Sequence, residues 1–98
     1  CIGTCMSAAS VLLACGTGLR TITKHGTVMV HEGSAFEAGK TTDVMKGVDH
    51  LKDLQKEINK IMAEITNKDE RFWELTQRND TYFNAEKCLE YGLVDKII

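Results

Sequence analysis

The 98 residues predict an α/β protein, and three features of the pattern carry that expectation. Short β-branched runs such as Thr21-Ile22-Thr23 and Thr27-Val28-Met29-Val30 alternate with stretches whose apolar residues recur every three or four positions. Cap signals punctuate the alternation, with Asp69 and Asn84 where helices should begin and Gly16 and Gly92 where they should end. No internal repeat or low-complexity segment interrupts it.

The first fifteen residues read as the end of a strand, a sharp turn after Gly3 and a buried helix through Leu12-Leu13 that stops at Gly16. Ser7 falls at that turn, where it is either an N-cap or a reactive hydroxyl facing the unpaired N–H groups of a helix start. Thr17–Arg20 is a turn, Thr21–Thr23 a short strand, and Lys24-His25-Gly26 a tight turn. Thr27–His31 is a strand apolar enough to be buried on both faces, and it ends in a histidine. Glu32–Lys40 is rich in small residues, with room for another backbone to lie close.

A long helix follows, capped by Thr41 or Thr42 and running to about Thr66. Val44, Val48, Leu51, Leu54, Ile58, Ile61, Met62 and Ile65 make one apolar stripe. At 1.5 Å per residue it would be about 36 Å long, enough to reach beyond its own core, so it is expected to be an arm for self-association. Asp69 caps a helix to about Arg78 that should bury Phe72, Trp73 and Leu75. A loop running into a short extended piece over Asn79–Phe83, a small helix Ala85–Tyr91 closed by Gly92, and a strand Leu93–Ile98 complete the chain.

Composition sets bounds on function. Twelve Lys and Arg are interspersed with fourteen Asp and Glu for a net charge of −2, so no nucleic-acid face is expected. The apolar run Ala8–Cys15 is too short to span a bilayer, and no signal peptide is read at the start. Cys1, Cys5, Cys15 and Cys88 form no CxxC pair and the histidines lack zinc-finger spacing, which points to free thiols in a reducing, cytosol-like compartment and to no metal. The absence of proline and a start in mid-pattern at Cys1 suggest the C-terminal portion of something longer.

Serine hydrolysis needs a hydroxyl, an imidazole to take its proton and a carboxylate to orient that imidazole. Ser7 at a strand-to-helix turn, His31 at the end of a strand and Asp80 in a loop can converge at one sheet edge. Any chain with three histidines offers other such triples, and the residues alone leave the choice open.

The order Gly3-x-x-x-Ser7, Leu12-Leu13-x-x-Gly16, Val28-Met29-Val30-His31, Gly39-x-x-Thr42-Asp43, Asp80-x-x-x-x-Ala85 and Glu90-Tyr91-Gly92-Leu93-Val94-Asp95-x-Ile97 resembles the ClpP family, the proteolytic subunit of the ATP-dependent Clp serine protease. The resemblance covers essentially the whole chain, with one deletion near Thr17. It implies a ClpP/crotonase-type spiral of βαβ units, residues 1–98 being the C-terminal part of a single protease domain. Ser7 is similar to the family nucleophile, His31 to its general base and Asp80 to its orienting acid, with the N–H of Ala8 as an oxyanion donor. Glu32–Lys40, with Gly33, Ser34, Ala35 and Phe36, corresponds to the handle strand that pairs with extended substrate, and the long helix to the handle helix that stacks two heptameric rings. The implied activity is cleavage of unfolded polypeptide through an acyl-enzyme on Ser7, without cofactor or metal, in a chamber fed by an AAA+ unfoldase. The implied setting is cytoplasm, an organelle matrix or stroma, or a phage-encoded protein in a bacterial cytoplasm.

Other residues fit less well. Ser10 also follows Ala-Ala, but only Ser7 keeps the family distance to Leu12-Leu13. His25 and His50 are expected in solvent, Asp43 at a helix start beside the dipole, and Asp95 in a structural role. Glu32-Gly33 replaces the family's Gln-Pro, Ala8-Ala9-Ser10 departs from its usual helix start, and Ala35-Phe36 replaces the handle's glycine pair. The resemblance implies that the glycine-rich strand supplying the family's other oxyanion donor would precede Cys1. A non-catalytic ring-forming subunit, an inactive fragment, and a phage head-maturation protease acting without an ATPase are the alternatives; nothing favours a crotonase-like acyl-CoA enzyme.

Overall fold

In the computed structural model, which describes residues 1–33 and 38–98, the chain alternates strands and helices as expected. The order is β1 (Thr4–Met6), α1 (Ala8–Ala14), β2 (Thr21–Ile22), β3 (Thr27–Val30), α2 (Thr41–Ile65), α3 (Glu70–Gln77), β4 (Thr81–Asn84), α4 (Ala85–Glu90) and β5 (Lys96–Ile97). The main sheet runs β1-β3-β4, with β1 parallel and β4 antiparallel to the central strand, and β2 pairs in parallel with β5 beside it. Val28, Met29 and Val30 are all buried, as a central strand packed on both faces requires.

The core gathers Ile22, Val28, Val30, Met62, Trp73, Phe83, Cys88, Leu93 and Val94. Burial pushes the Cys88 thiol up to about 11, so it behaves as a small apolar residue there. Trp73 also uses its polar edge: its indole N–H donates to Thr66 Oγ1 at 2.9 Å, and that hydroxyl bonds back to the Met62 carbonyl at the end of α2. Asp69 and Asn84 cap α3 and α4 as the sequence predicts, accepting from Phe72 N–H at 2.8 Å and Lys87 N–H at 2.9 Å. Gly92, at φ 79°, closes α4, where a Cβ would also meet Asn67 at 3.1 Å.

Four expectations are corrected. Neither Thr41 nor Thr42 caps α2: both lie in its first turn, the N-cap position is Lys40 without a side-chain bond, and Asp43 supplies the favourable charge there. Leu75 is 45% exposed, because the buried face of α3 is set by Trp73 and Gln77, four apart, and Leu75 lies on the other side. The same geometry buries Ser10 and Ala14 of α1 and turns Leu12 outward. The last strand shrinks to Lys96–Ile97, since the N–H groups of Leu93 and Val94 turn back to the Cys88 carbonyl.

The long arm is present. α2 has 25 residues and is longer than the sheet it leaves, and the molecule measures 50 × 23 × 22 Å. Met45, Val48, Leu54 and Ile61 remain exposed along it, while Asn59 and Met62 anchor its C-terminal half to the core. Among the described residues no helix is long and apolar enough to cross a membrane.

Candidate active site

The turn at Ser7 has unusual geometry. β1 ends at Met6 and α1 begins at Ala8, leaving one residue to reverse the chain, and Ser7 does so at φ 56°, ψ −122°. It is the only non-glycine residue with positive φ among those described. Such a backbone costs of order 1–3 kcal/mol and persists only where the surroundings hold it. They do: the Ser7 N–H donates to the Met29 carbonyl at 2.9 Å, and the Ser7 carbonyl accepts from both the N–H of Ser10, at 3.0 Å, and its buried hydroxyl. Sharp strand-to-helix turns of this kind lift a serine hydroxyl off a sheet edge.

Ser7 occupies the N-cap position of α1, but its side chain makes no capping bond. Among the described residues the hydroxyl has no hydrogen-bond partner, so it does not act as the helix cap. Ala8 opens α1, where a backbone N–H has no partner within the helix. Ser10, the competing serine, is 1% exposed and committed to the Ser7 carbonyl. It supports the turn.

The sheet brings His31 and Asp80 to the same edge. Met6 pairs with Met29 across β1 and β3, and Val30 pairs with Thr81 across β3 and β4. His31 follows Val30 and Asp80 precedes Thr81, so both leave the sheet directly beyond the last pair of the antiparallel register. Ser7, Ala8 and His31 line one cavity of about 150 Å³, and His31 and Asp80 line a neighbouring one of about 370 Å³. His31 is half-buried between them, while Ser7 and Asp80 are exposed.

Among the described residues no hydrogen bond joins Ser7 to His31 or His31 to Asp80. His31 Nδ1 instead meets the carbonyl oxygen of its neighbour Glu32. A carbonyl can only accept, so that contact places a proton on Nδ1 and leaves Nε2 as the basic nitrogen. Gly33 lies at this edge with its N–H bonded to Gln55 Oε1 at 3.0 Å, whereas Ser34, Ala35 and Phe36 lie outside the described residues. His25 and His50 are exposed away from the turn, as expected, and Asp95 pairs with Arg20.

Sequence reasoning missed the polar group behind the histidine. Gln55, Asn59 and Gln77 hydrogen-bond to one another, and Asn59 and Gln77 are buried. A signal was there to find: Gln55 and Asn59 are four apart on α2, next to the apolar stripe that reaches Met62, and Gln77 is four after Trp73. Amides beside buried positions call for partners.

Comparison with known proteins bears on this arrangement. A family model described as Clp protease matches residues 1–98. The chain is 34% identical over 100 residues to the ATP-dependent Clp protease proteolytic subunit 2 of Bifidobacterium longum, covering 99% of this chain and 47% of that protein. It is likewise 34% identical to the subunit of the same name from Chlamydia trachomatis, covering all of this chain and 49% of that one. The chain thus spans about half the length of the curated relatives it matches. With a family match from end to end and a mixed α/β fold bearing a protruding helix, as a partial ClpP-type domain has, the chain belongs to the Clp protease family.

Proposed function

We propose that residues 1–98 are the C-terminal part of a single ClpP-like protease domain, and that the complete subunit is a serine endopeptidase cleaving unfolded polypeptides through an acyl-enzyme. One observation carries this reading: Ser7 is held at φ 56° on a strand-to-helix turn, with its hydroxyl making no capping bond, on the cavity that His31 also lines.

In this mechanism Ser7 Oγ attacks the scissile carbonyl while His31 Nε2 takes its proton and later returns it to the leaving amine. The N–H of Ala8 donates to the developing oxyanion, and the carboxylate of Asp80 stabilises the imidazolium. Gly33, Ser34, Ala35 and Phe36 bind the substrate as an added strand through main-chain hydrogen bonds. α2 is the handle through which heptameric rings stack in pairs, and its exposed Met45, Val48, Leu54 and Ile61 support that assignment. An AAA+ unfoldase feeds the chamber. Four free thiols support a reducing, cytoplasmic setting.

A second reading, a ring-forming subunit without efficient hydrolysis, is favoured by the missing hydrogen bonds from Ser7 to His31 and from His31 to Asp80. Hydrolysis of an unstructured polypeptide by the complete subunit separates the two. The catalytic reading requires turnover that Ser7→Ala abolishes; an intact ring without turnover supports the second.

A further inference from the structure

The peptide group between Glu32 and Gly33 is held from both sides. Its oxygen accepts from His31 Nδ1, and its N–H, that of Gly33, donates to Gln55 Oε1 at 3.0 Å. Gln55 is itself fixed, its Nε2 donating to Asn59 Oδ1 at 3.2 Å and to Gln77 Oε1 at 2.9 Å. Gln77 Nε2 closes the triangle on Asn59 Oδ1 at 3.1 Å, and the Gln77 backbone carbonyl accepts from the Glu32 N–H at 2.6 Å.

Two properties follow from this arrangement. Asn59 and Gln77 are 6% and 5% exposed, so breaking the triangle would strand buried amides, and it therefore resists rearrangement. A peptide group whose N–H is already donating is also a better acceptor at its oxygen, because linked hydrogen bonds polarise one another. The chain of contacts runs from the buried amides through Gln55 and one peptide group to the imidazole.

We infer that Gln55 is a positioning residue for His31: by gripping the Glu32–Gly33 peptide it fixes the carbonyl that keeps a proton on Nδ1, and so presents Nε2 to Ser7. The inference rests on the reading of Ser7 as nucleophile and His31 as base. In a triad the carboxylate alone sets the tautomer. Here a backbone carbonyl takes over that task, and Asp80 is left to supply charge.

The test is the rate at which a fluorophosphonate probe labels Ser7 in the complete subunit, in wild type, Gln55→Met and Gln55→Glu. Met fills the space but offers Gly33 no oxygen, while Asn59 and Gln77 keep their own bond. Glu retains an oxygen for Gly33 but gives up both donations and sets a charge against two amide oxygens. Gln55→Met is expected to label about tenfold more slowly than wild type, a fraction of what a general base contributes. Gln55→Glu should stay within about threefold of wild type, since it keeps the hydrogen bond that matters, even though its thermal midpoint falls further. Rates that follow the thermal midpoint, or a wild-type rate for Gln55→Met, overturn the inference while Ser7 stays the nucleophile. A wild type that takes no label at Ser7 removes the nucleophile reading and the inference with it.

Discussion

Arg20 holds Asp95 by three hydrogen bonds: its backbone N–H and Nε reach Oδ2 at 2.9 and 3.0 Å, and Nη2 reaches Oδ1 at 2.7 Å. The same guanidinium donates to the Ala14 carbonyl at 3.0 Å and to that of Ile65 at 3.4 Å. One side chain thus ties together the ends of α1 and α2 and the C-terminal segment. The Asp95 of the resemblance is structural, engaged by the backbone N–H, Nε and Nη2 of Arg20.

This pair sets a pH dependence. Arg20 holds the Asp95 carboxyl down at about 2, against an ordinary value of 3.8. A depressed carboxylate contributes stability above its unfolded value and loses it as the pH falls through the folded one. Thermal midpoints should therefore drop between about pH 4 and pH 2, and Asp95→Asn should start lower and flatten the drop in that window. Parallel curves for the two proteins would show that the pair is silent.

The contact between His31 and Glu32 makes a prediction about Asp80. Replacing the triad aspartate by asparagine costs about 10⁴-fold in a serine protease where that residue alone sets the histidine tautomer. A backbone carbonyl cannot be swapped for a donor, so the tautomer survives Asp80→Asn and only the charge is lost. Peptide hydrolysis by this variant should fall by about 10²-fold or less. A loss near the full 10⁴-fold would mean that Asp80 sets the tautomer after all.

The outer face of α2 can be tested without touching the core. Val48 and Leu54 are 40% and 45% exposed, so Val48→Glu with Leu54→Glu should leave the fold of the subunit intact. If this face stacks rings, desolvating two carboxylates there is prohibitive, and sedimentation velocity should show single rings in place of double ones. Unchanged double rings would assign the face to solvent.

Much of this was legible in the sequence because it is local. Asp69, Asn84 and Gly92 mark helix ends through hydrogen bonds that reach only three or four residues, and Val28-Met29-Val30 reads as a buried strand by itself. Ser7 could be placed at a turn, though not at φ 56°, since that value depends on Met29 and Ser10 closing around it. The Gln55–Asn59–Gln77 triangle was out of reach for the same reason. It joins residues 18 and 22 apart across two helices, and only the packing of α3 on α2 tells which amides face each other.

Ser7 is proposed to act as a nucleophile and not as a helix cap. Peptide mapping by mass spectrometry after fluorophosphonate treatment of the complete subunit tests it most directly. One adduct is expected, on Ser7, absent from Ser7→Ala and undiminished in His25→Ala and His50→Ala, whose replaced side chains are exposed. An assembled protein that takes no label, or takes it on Ser10, would contradict it.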